Sequence, residues 1–578
     1  MTDALAQAPG TESSTLPGQA AVVLILAGVL ALPVSVFLLK LYARRVLHSM
    51  RSTVHAGTAT PPAPEAPFTP AQLPAGTALR LSVLDNDSRP AAGPADRLLS
   101  RLVVTPWKVA AVYAVAGFCF AAVATLAFLG SEVEILPLRF LILQWTFAWP
   151  VVLTANIVAG STWRARVAVT TVYFLGLAAL GGAAVARSPQ SDFGQLATLW
   201  GLMNVPPSVL LVTFLTRRIR AVGPLVLTFM VVALTGSNVV LAAVGGNQGL
   251  LRAISDFGSA VGLRAGGVFI GLIVLGFAAF GIIGWMTLKW IGSRYERKRL
   301  SDQSITVDAV WLLFGVVNAL DVVHRGAVWF LSGVLAFTVY KMVSAAGFLI
   351  LRRWAAPPPG SNLLLLRAFS SGRRGQRFFD SLGMHWRQVG GIDLIAGPDL
   401  ATSTVEPHEF LDFIRGRLAR RFIDGPTTLD QRMSERDDKP DQDGRFRVND
   451  FFCYEDTWKT CLAKLVSTTD ATLIDLRGFS PLHGGLVFEI RELIDTVPLG
   501  RVLFIVDGTT DEPFLRQVVD QAWGAISPKS PNRAQPSPEL RVFPYVGSQG
   551  GELRRLLRAV CTAVAPTSLE AVGSASKL

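Results

Sequence analysis

The sequence predicts an α-helical polytopic membrane bundle of eight or nine spans, followed by a cytosolic α/β domain with a five-stranded parallel sheet. Hydrophobic residues make up 51% of the 578 residues and charged residues only 17%, whereas a soluble protein carries about a quarter charged residues. Long uncharged runs are confined to residues before 351. After residue 361, short apolar runs alternate with segments of helical periodicity, which is typical of a parallel sheet covered by helices.

The net charge of +12 is unevenly distributed along the chain. Residues 361–578 contain 27 basic and 28 acidic residues, and residues 1–360 contain 27 basic and 14 acidic residues. The basic excess therefore accompanies the apolar runs, where positive charge is expected at the cytosolic ends of membrane helices. This distribution argues against nucleic acid as a partner and makes the lipid bilayer the expected one.

The first uncharged run covers residues 20–39, which is long enough for a helix across the ~30 Å hydrocarbon core of a bilayer. Residues 1–19 contain no Lys or Arg, whereas Lys40, Arg44 and Arg45 follow the run. A signal peptide carries its basic residues before the apolar run, so this segment is interpreted as a retained transmembrane helix. The positive charge that follows places residues 1–19 on the extracytoplasmic side.

Eight further runs are long enough to span a membrane, and the charges of their loops alternate as a multi-pass topology requires. Basic residues occupy the presumed inner loops, and acids such as Glu132 and Asp192 occupy the outer ones, so nine spans leave the C-terminal domain in the cytosol. The eighth run contains Asp308 and is the weakest, which leaves eight or nine spans open. The composition is typical of a bacterial plasma-membrane protein. The further spans are predicted at residues 109–129, 136–160, 167–186, 196–215, 224–245, 265–288, 305–323 and 327–351.

Four segments have linker-like composition. Residues 40–108 include a Pro/Ala-rich stretch and are predicted to form an extended or disordered cytosolic linker, and residues 352–360 form a hinge. Residues 427–444 are polar enough for a mobile insertion, and residues 567–578 form a disordered tail. The bundle itself is then residues 109–351, and the α/β domain is residues 361–566.

Charged residues at membrane depth offer one functional hypothesis. Asp308, Asp321 and Lys341 fall within or at the end of the last two spans, and such residues often mark an ion or proton pathway. Alternatively, the two acids lie at the interfaces, and Lys341 snorkels or pairs with one of them. A transporter or channel with a regulatory cytosolic domain is therefore the alternative to a signalling protein.

Five short apolar strands are predicted in the C-terminal domain, at residues 362–369, 391–395, 471–476, 501–506 and 540–546, with a short extended segment at 445–453. Strands that alternate with helices favour a flavodoxin-like or Rossmann-like unit, which binds its ligands at the carboxyl ends of the strands. The sequence contains neither GxGxxG nor GxxxxGK[ST], so no dinucleotide fingerprint or P-loop is present. The nucleotide-binding candidates at the carboxyl ends are Arg367, Phe369, Ser370, Arg477, Ser480 and Asp507.

Residues 473–493, LIDLRGFSPLHGGLVFEIREL, carry the most specific pattern: a strand, a Ser-containing loop and a helix with acidic residues. This layout, together with the opening LLLLRAF, resembles the Toll/interleukin-receptor (TIR) domains and their bacterial relatives over about residues 361–565. The resemblance implies a flavodoxin/TIR-like fold and, in enzymatic members, NAD glycohydrolase activity. It then implies Glu489 as the catalytic residue, with Glu492 as the alternative, and NAD as the substrate.

Two classes of function follow from these patterns. In the first, a multi-pass membrane protein presents a TIR-like signalling or effector domain, which acts by assembly, as a homo-oligomer, or through NAD or nucleotide binding. In the second, the bundle is the transporter or channel described above. The four cysteines form no CxxC pair, and no metal site is expected.

Overall fold

The structure is a computed structural model that describes residues 16–52, 78–84, 94–130, 136–160, 162–187, 192–215, 219, 222–322, 325, 327–354, 360–367, 372–396, 407–454, 456–535, 537–547 and 550–575. The chain divides into two compact units. The first comprises Met1–Leu41, Pro106–Ala355 and Glu406–Leu411, and the second comprises Tyr42–Thr105, Ala356–Val405 and Asp412–Leu578. Most of the segment predicted to be a linker therefore belongs to the same unit as the C-terminal domain.

Helices dominate the first unit, and within the described residues nine stretches are long and apolar enough to cross a membrane. Nine is the higher of the two predicted counts, and the chain has the character of a multi-pass membrane protein. One of the nine stretches consists of α3 and α4, which meet at Ala148 just before Pro150. The helices up to residue 354 are α1 (Leu16–Ser52), α2 (Pro94–Leu129), α3 (Pro137–Phe147), α4 (Trp149–Val158), α5 (Trp163–Arg187), α6 (Phe193–Phe214), α7 (Gly223–Gly245), α8 (Gln248–Ala260), α9 (Ala265–Glu296), α10 (Asp302–Val322) and α11 (Leu331–Trp354).

The span predicted to be the weakest, α10, is the most buried helix of the first unit. Of the 18 residues of its apolar stretch, 72% are buried, compared with 6% for the corresponding stretch of α9. It contacts α4, α6, α7 and α11, and Trp311 and Phe314 are fully buried within it. Polar residues such as Asp308 are tolerated in this helix because neighbouring helices shield it from lipid.

Close helix approach in the first unit depends on glycines. A Cβ on Gly333 of α11 would clash with the carbonyl oxygen of Gly315 of α10, and one on Gly276 of α9 would lie 2.7 Å from the oxygen of Gly236 of α7. Small residues at these crossings let the backbones touch, which provides the packing that holds membrane helices together. The helix α6 runs through Pro206 and Pro207 without interruption.

The second unit contains a sheet of eight strands in its described residues, rather than the five predicted. All pairs are parallel, and the order is β1-β8-β7-β6-β2-β3-β5-β4. The five predicted strands are β2, β3, β6, β7 and β8, which are contiguous in the sheet. The strands are β1 (Arg80–Val83), β2 (Leu363–Arg367), β3 (Ile392–Ala396), β4 (Phe422–Ile423), β5 (Val448–Cys453), β6 (Ala471–Asp475), β7 (Val502–Val506) and β8 (Glu539–Pro544).

The linker prediction for residues 40–108 differs from the structure in three places. The first is α1, which continues to Ser52. Strand β1 pairs with β8 through Leu81 and Leu540, and Leu79 is buried in the core beside it. The first turns of α2 pack Leu102 onto the opposite face of the sheet. Composition misses these contacts because each involves only a few apolar residues beside a long Pro/Ala-rich stretch, and that stretch itself lies outside the described residues.

Helices cover both faces of this sheet. Phe378 of α12 and Val560 of α18 pack on the face that contains Leu365, whereas α15, α16 and α17 pack on the face that contains Leu366 and Ile474. The burial of apolar side chains on both faces explains the continuous apolar strands of the sequence. The remaining helices are α12 (Gly372–Trp386), α13 (Pro407–Ile414), α14 (Pro426–Ser434), α15 (Trp458–Val466), α16 (Gly484–Thr496), α17 (Glu512–Gly524) and α18 (Gly550–Ala575).

The segment predicted to be a mobile insertion, residues 427–444, is held by α14 and by buried ion pairs. Arg447 Nη2 donates to Asp441 Oδ1 at 2.7 Å, and Arg447 Nη1 lies 3.1 Å from Asp437 Oδ2. Asp441 is fully buried. Arg436 contacts the buried Asp393 of β3 at 3.4 Å. Burial raises the pKa of Asp393 to about 6, against the opposing effect of Arg436. The polar side chains of this segment thus form an internal network of ion pairs and not a solvated loop.

Candidate functional site

The candidate site lies at the carboxyl ends of β2 and β6, which are neighbours in the sheet. The helix after β2, α12, covers one face, and the helix after β6, α16, covers the other. Adjacent strands whose connections leave in opposite directions open a crevice at their carboxyl ends, which is where doubly wound sheets bind ligands. The register pairs Arg367, the last residue of β2, with Asp475, the last residue of β6.

Arg477 is fixed in this crevice by a carboxylate and two aromatic rings. Its Nε donates to Asp475 Oδ1 at 2.8 Å and its Nη2 to Oδ2 at 2.6 Å, with both side chains almost fully buried. The guanidinium carbon lies 4.7 Å from the ring centre of Phe378 and 5.3 Å from that of Tyr545. Bidentate pairing and ring contacts hold the guanidinium in one position, so Arg477 is a preorganised cation.

Asp507 lies at the end of β7, beside the same crevice. Its side chain accepts hydrogen bonds from the backbone N–H of Thr509 at 2.9 Å and from the Thr509 hydroxyl. It also forms an ion pair at 2.9 Å with Arg374, near the start of α12. Arg374 is well exposed, whereas the Asp507 side chain is only 8% exposed. Asp507 therefore fixes its own turn and positions an exposed arginine at the rim.

The loop between β6 and α16 is ordered by short-range contacts. Gly478 has φ +76°, a left-handed conformation that a glycine adopts without strain. Ser480 Oγ lies 3.1 Å from His483 Nδ1, and the Thr510 hydroxyl donates to the Leu476 carbonyl at 3.0 Å. Ser480 thus stabilises its own turn, and Thr510 ties the loops after β6 and β7 together.

Two of the predicted nucleotide-binding residues, Phe369 and Ser370, lie outside the described residues. Arg367, Arg477, Ser480 and Asp507 all lie at the ends of neighbouring strands or in the loop that follows. The structure thus brings these four to one edge of the sheet.

Glu489, the predicted catalytic residue, lies on α16 among the side chains that pack against the other face of the sheet. It is 3% exposed, its Oε2 has no hydrogen-bond partner among the described atoms, and burial raises its pKa to about 8. The Arg477 side chain contacts Phe378 and Tyr545 on the opposite face. The structure does not join Glu489 to the arginine cluster. Glu492 is half-buried on the same helix, and burial followed by the charge of Asp495 raises its pKa.

Sequence reasoning missed three residues of this site. Arg374, Phe378 and Tyr545 come from α12 and from the residue after β8, whereas the prediction took only loops directly after strands β2, β6 and β7. The basic start of α12, GRRGQR, immediately after the loop that follows β2, is the signal that could have identified Arg374. The two aromatic residues have no such signal, because their role depends on tertiary contacts.

The charged residues predicted at membrane depth form one pair in the first unit. Lys341 Nζ of α11 lies 2.7 Å from Asp308 Oδ2 of α10. Asp308 Oδ1 and the hydroxyl of Tyr340 are buried with no hydrogen-bond partner among the described atoms. The side chain of Asp321 lies outside the part of the chain that the structure describes. The pair supports the prediction that Lys341 is neutralised by an acid.

Comparison with known proteins identifies no relative: no protein-family model, curated protein or solved structure matches the chain.

Proposed function

We propose that this chain is a multi-pass membrane protein of a bacterial plasma membrane that presents a TIR-like α/β signalling or effector domain in the cytosol. We further propose that this domain binds a phosphate-bearing nucleotide, NAD included, in the crevice between β2 and β6. The observation that carries the proposal is the placement of Arg367, Arg374 and Arg477 at or beside the carboxyl ends of the neighbouring strands β2, β6 and β7. Guanidinium groups are suited to phosphate because they donate two parallel hydrogen bonds.

The strand order supports a flavodoxin-like assignment for the core of the sheet. Taken in chain order, the strands β2, β3, β6, β7 and β8 occupy the positions 2-1-3-4-5 across the sheet, which is the flavodoxin-like order. In that order the change of direction falls between the first and third strands, here β2 and β6. The arginines thus lie where this fold class places its ligand.

The geometry favours nucleotide binding over NAD cleavage. A carboxylate that stabilises an oxocarbenium-like cation must be ionised and beside the ribose. With a pKa of about 8, Glu489 is mostly protonated at neutral pH, and its helix packs on the face opposite the Arg477 side chain. Glycohydrolase activity would require α16 to move.

Nucleotide binding is expected to weaken about tenfold on Arg374→Ala, the loss of roughly 1.4 kcal/mol that one charge-assisted hydrogen bond contributes. Arg374 is exposed and at the rim, so the fold should tolerate its removal. The measurement is the affinity of the full chain in lipid nanodiscs for ATP, NAD, inorganic phosphate and adenosine.

Arg377→Ala is the matched control, because Arg377 is exposed one turn further along α12. Equal weakening by both variants would point to general charge attraction and contradict the site. Tight binding of adenosine, which has no phosphate, would contradict a phosphate-directed role for the arginines. Release of nicotinamide from NAD, lost in Glu489→Gln, would restore the enzymatic hypothesis.

A transporter is the second candidate, and the Lys341–Asp308 pair is the observation that favours it. A part-buried ion pair in a membrane unit costs desolvation energy. The unpartnered Asp308 Oδ1 offers a place for water or a proton. Proton flux into liposomes should fall several-fold in Asp308→Asn and in Lys341→Met. Thr338→Val, an exposed change on α11, serves as the control. Flux equal to that of Thr338→Val in both variants would remove this candidate.

A further inference from the structure

The helix α8 differs from the candidate spans of the first unit because it is strongly amphipathic and too short to span a bilayer. Its 13 residues rise about 20 Å at 1.5 Å per residue, compared with the ~30 Å hydrocarbon core. Asn247 caps its start by accepting a hydrogen bond from the N–H of Leu250 at 3.1 Å. The helix is therefore a defined element and not a loop between spans.

One side of α8 carries large apolar side chains that nothing in the chain's described residues covers. Leu250 is 43% exposed, Phe257 is 70% exposed, and Val261 just after the helix is 61% exposed. Helical spacing places these three residues and the half-buried Ile254 on one stripe. Several large apolar side chains in one stripe mark a surface that binds an apolar partner.

The position of α8 in the chain fixes its level relative to a bilayer. It begins three residues after α7 ends at Gly245, and α9 begins five residues after it ends at Ala260. Both neighbouring helices are candidate membrane spans. Gly258 packs against Val268 in the first turn of α9, where an added Cβ would clash with the valine side chain. Both ends of α8 are thus held beside the ends of spans, at the boundary of the hydrocarbon region.

The apolar stripe continues onto the surface of α9. Leu263 between the helices and Phe269 and Ile270 in the first turns of α9 are 49%, 53% and 61% exposed. Only 6% of the apolar 18-residue stretch of α9 is buried. A candidate span that is so exposed faces lipid. The stripe of α8 is therefore continuous with a lipid-facing surface.

We propose that α8 is an interfacial helix that lies on the bilayer surface, with Leu250, Phe257 and Val261 inserted among the lipids. Its polar side has Arg252 and Asp256, whose charges cancel at a spacing of four residues. Because the helix itself carries no net charge, its insertion is driven by apolar burial. The association should be the same on zwitterionic and on anionic membranes.

The test places a nitroxide spin label on the full chain in nanodiscs of phosphatidylcholine, with and without phosphatidylglycerol. The labelled variants are Phe257→Cys and Leu250→Cys on the stripe, Ser259→Cys on the polar side, and Ile270→Cys as the lipid reference. The chain without an added cysteine gives the background from the native thiols. The measurement is the collision rate of each label with oxygen, which partitions into lipid, and with a water-soluble nickel chelate.

The ratio of oxygen to nickel collisions should be several-fold higher at positions 250 and 257 than at 259, approach that at 270, and be equal in both lipids. Nickel access at 257 equal to that at 259 would place the stripe in water and overturn the proposal. Shielding of 250 and 257 from both reagents would show a protein partner, such as a second copy, and would also overturn it. A ratio that rises only with phosphatidylglycerol would refute insertion by apolar burial.

Discussion

Replacing Arg477 with methionine is expected to destabilise the α/β unit by about 3–5 kcal/mol, the typical cost of leaving one partner of a buried ion pair alone. Asp475 is 2% exposed and bonded to Arg477 at 2.6 Å, so its carboxylate would remain buried without a cation. The guanidinium contacts with Phe378 and Tyr545 would be lost as well. The loss of stability is measured by urea unfolding of the full chain and by amide hydrogen exchange in β6 and β7.

Two further variants separate the ion pair from other effects of the substitution. Arg374→Met breaks an ion pair in which the arginine is 61% exposed, and should cost no more than about 1 kcal/mol. The double change Asp475→Leu with Arg477→Met removes both charges and should recover most of the loss. An Arg477→Met variant as stable as Arg374→Met would show that the pair does not hold this edge together.

The sequence predicted the long helices and the central strands of this protein, but it undercounted the strands of the sheet. Long apolar helices and continuous apolar strands each have a strong local signal, so nine candidate spans and the five central strands could be found. Strand β1 could not, because the short run RLSV becomes a strand only where β8 offers an edge. The burial of Asp441 and Arg447 was equally hidden, since each residue alone is typical of a solvated loop.

The candidate site was predictable only where chain order determines position. Arg367, Arg477 and Asp507 follow parallel strands directly, so their shared edge follows from the fold class. The position of Glu489 depends on which side of α16 meets the sheet. Its spacing from Leu486 and Leu493 places it beside the apolar stripe, where a solvated glutamate is not expected. The resemblance to TIR domains singles out the residue but does not give its environment.

Glu489 imposes a pH dependence on stability whose sign follows from its pKa. Burial raises that pKa from 4.5 in the unfolded chain to about 8 in the fold. Between these values the unfolded chain has released its proton and the folded chain has not, so stability falls by about 1.4 kcal/mol per pH unit. The contribution of Glu489 is fully present below pH 4.5, is lost as pH rises toward 8, and stays constant above it.

Glu489→Gln should therefore leave stability unchanged near pH 4.5 and raise it by up to about 5 kcal/mol at pH 8, since glutamine removes the titration at nearly equal volume. Urea unfolding of the full chain at pH 5, 6.5 and 8 measures how far the two stability curves diverge as the pH rises. Glu492→Gln is the control, and because Glu492 is half-buried its effect should be much smaller. Parallel curves for wild type and Glu489→Gln would mean that the carboxyl group meets water or a cation. A confirmed divergence would show that Glu489 is held as a neutral carboxyl group beneath α16, on the face of the sheet opposite the side chain of Arg477.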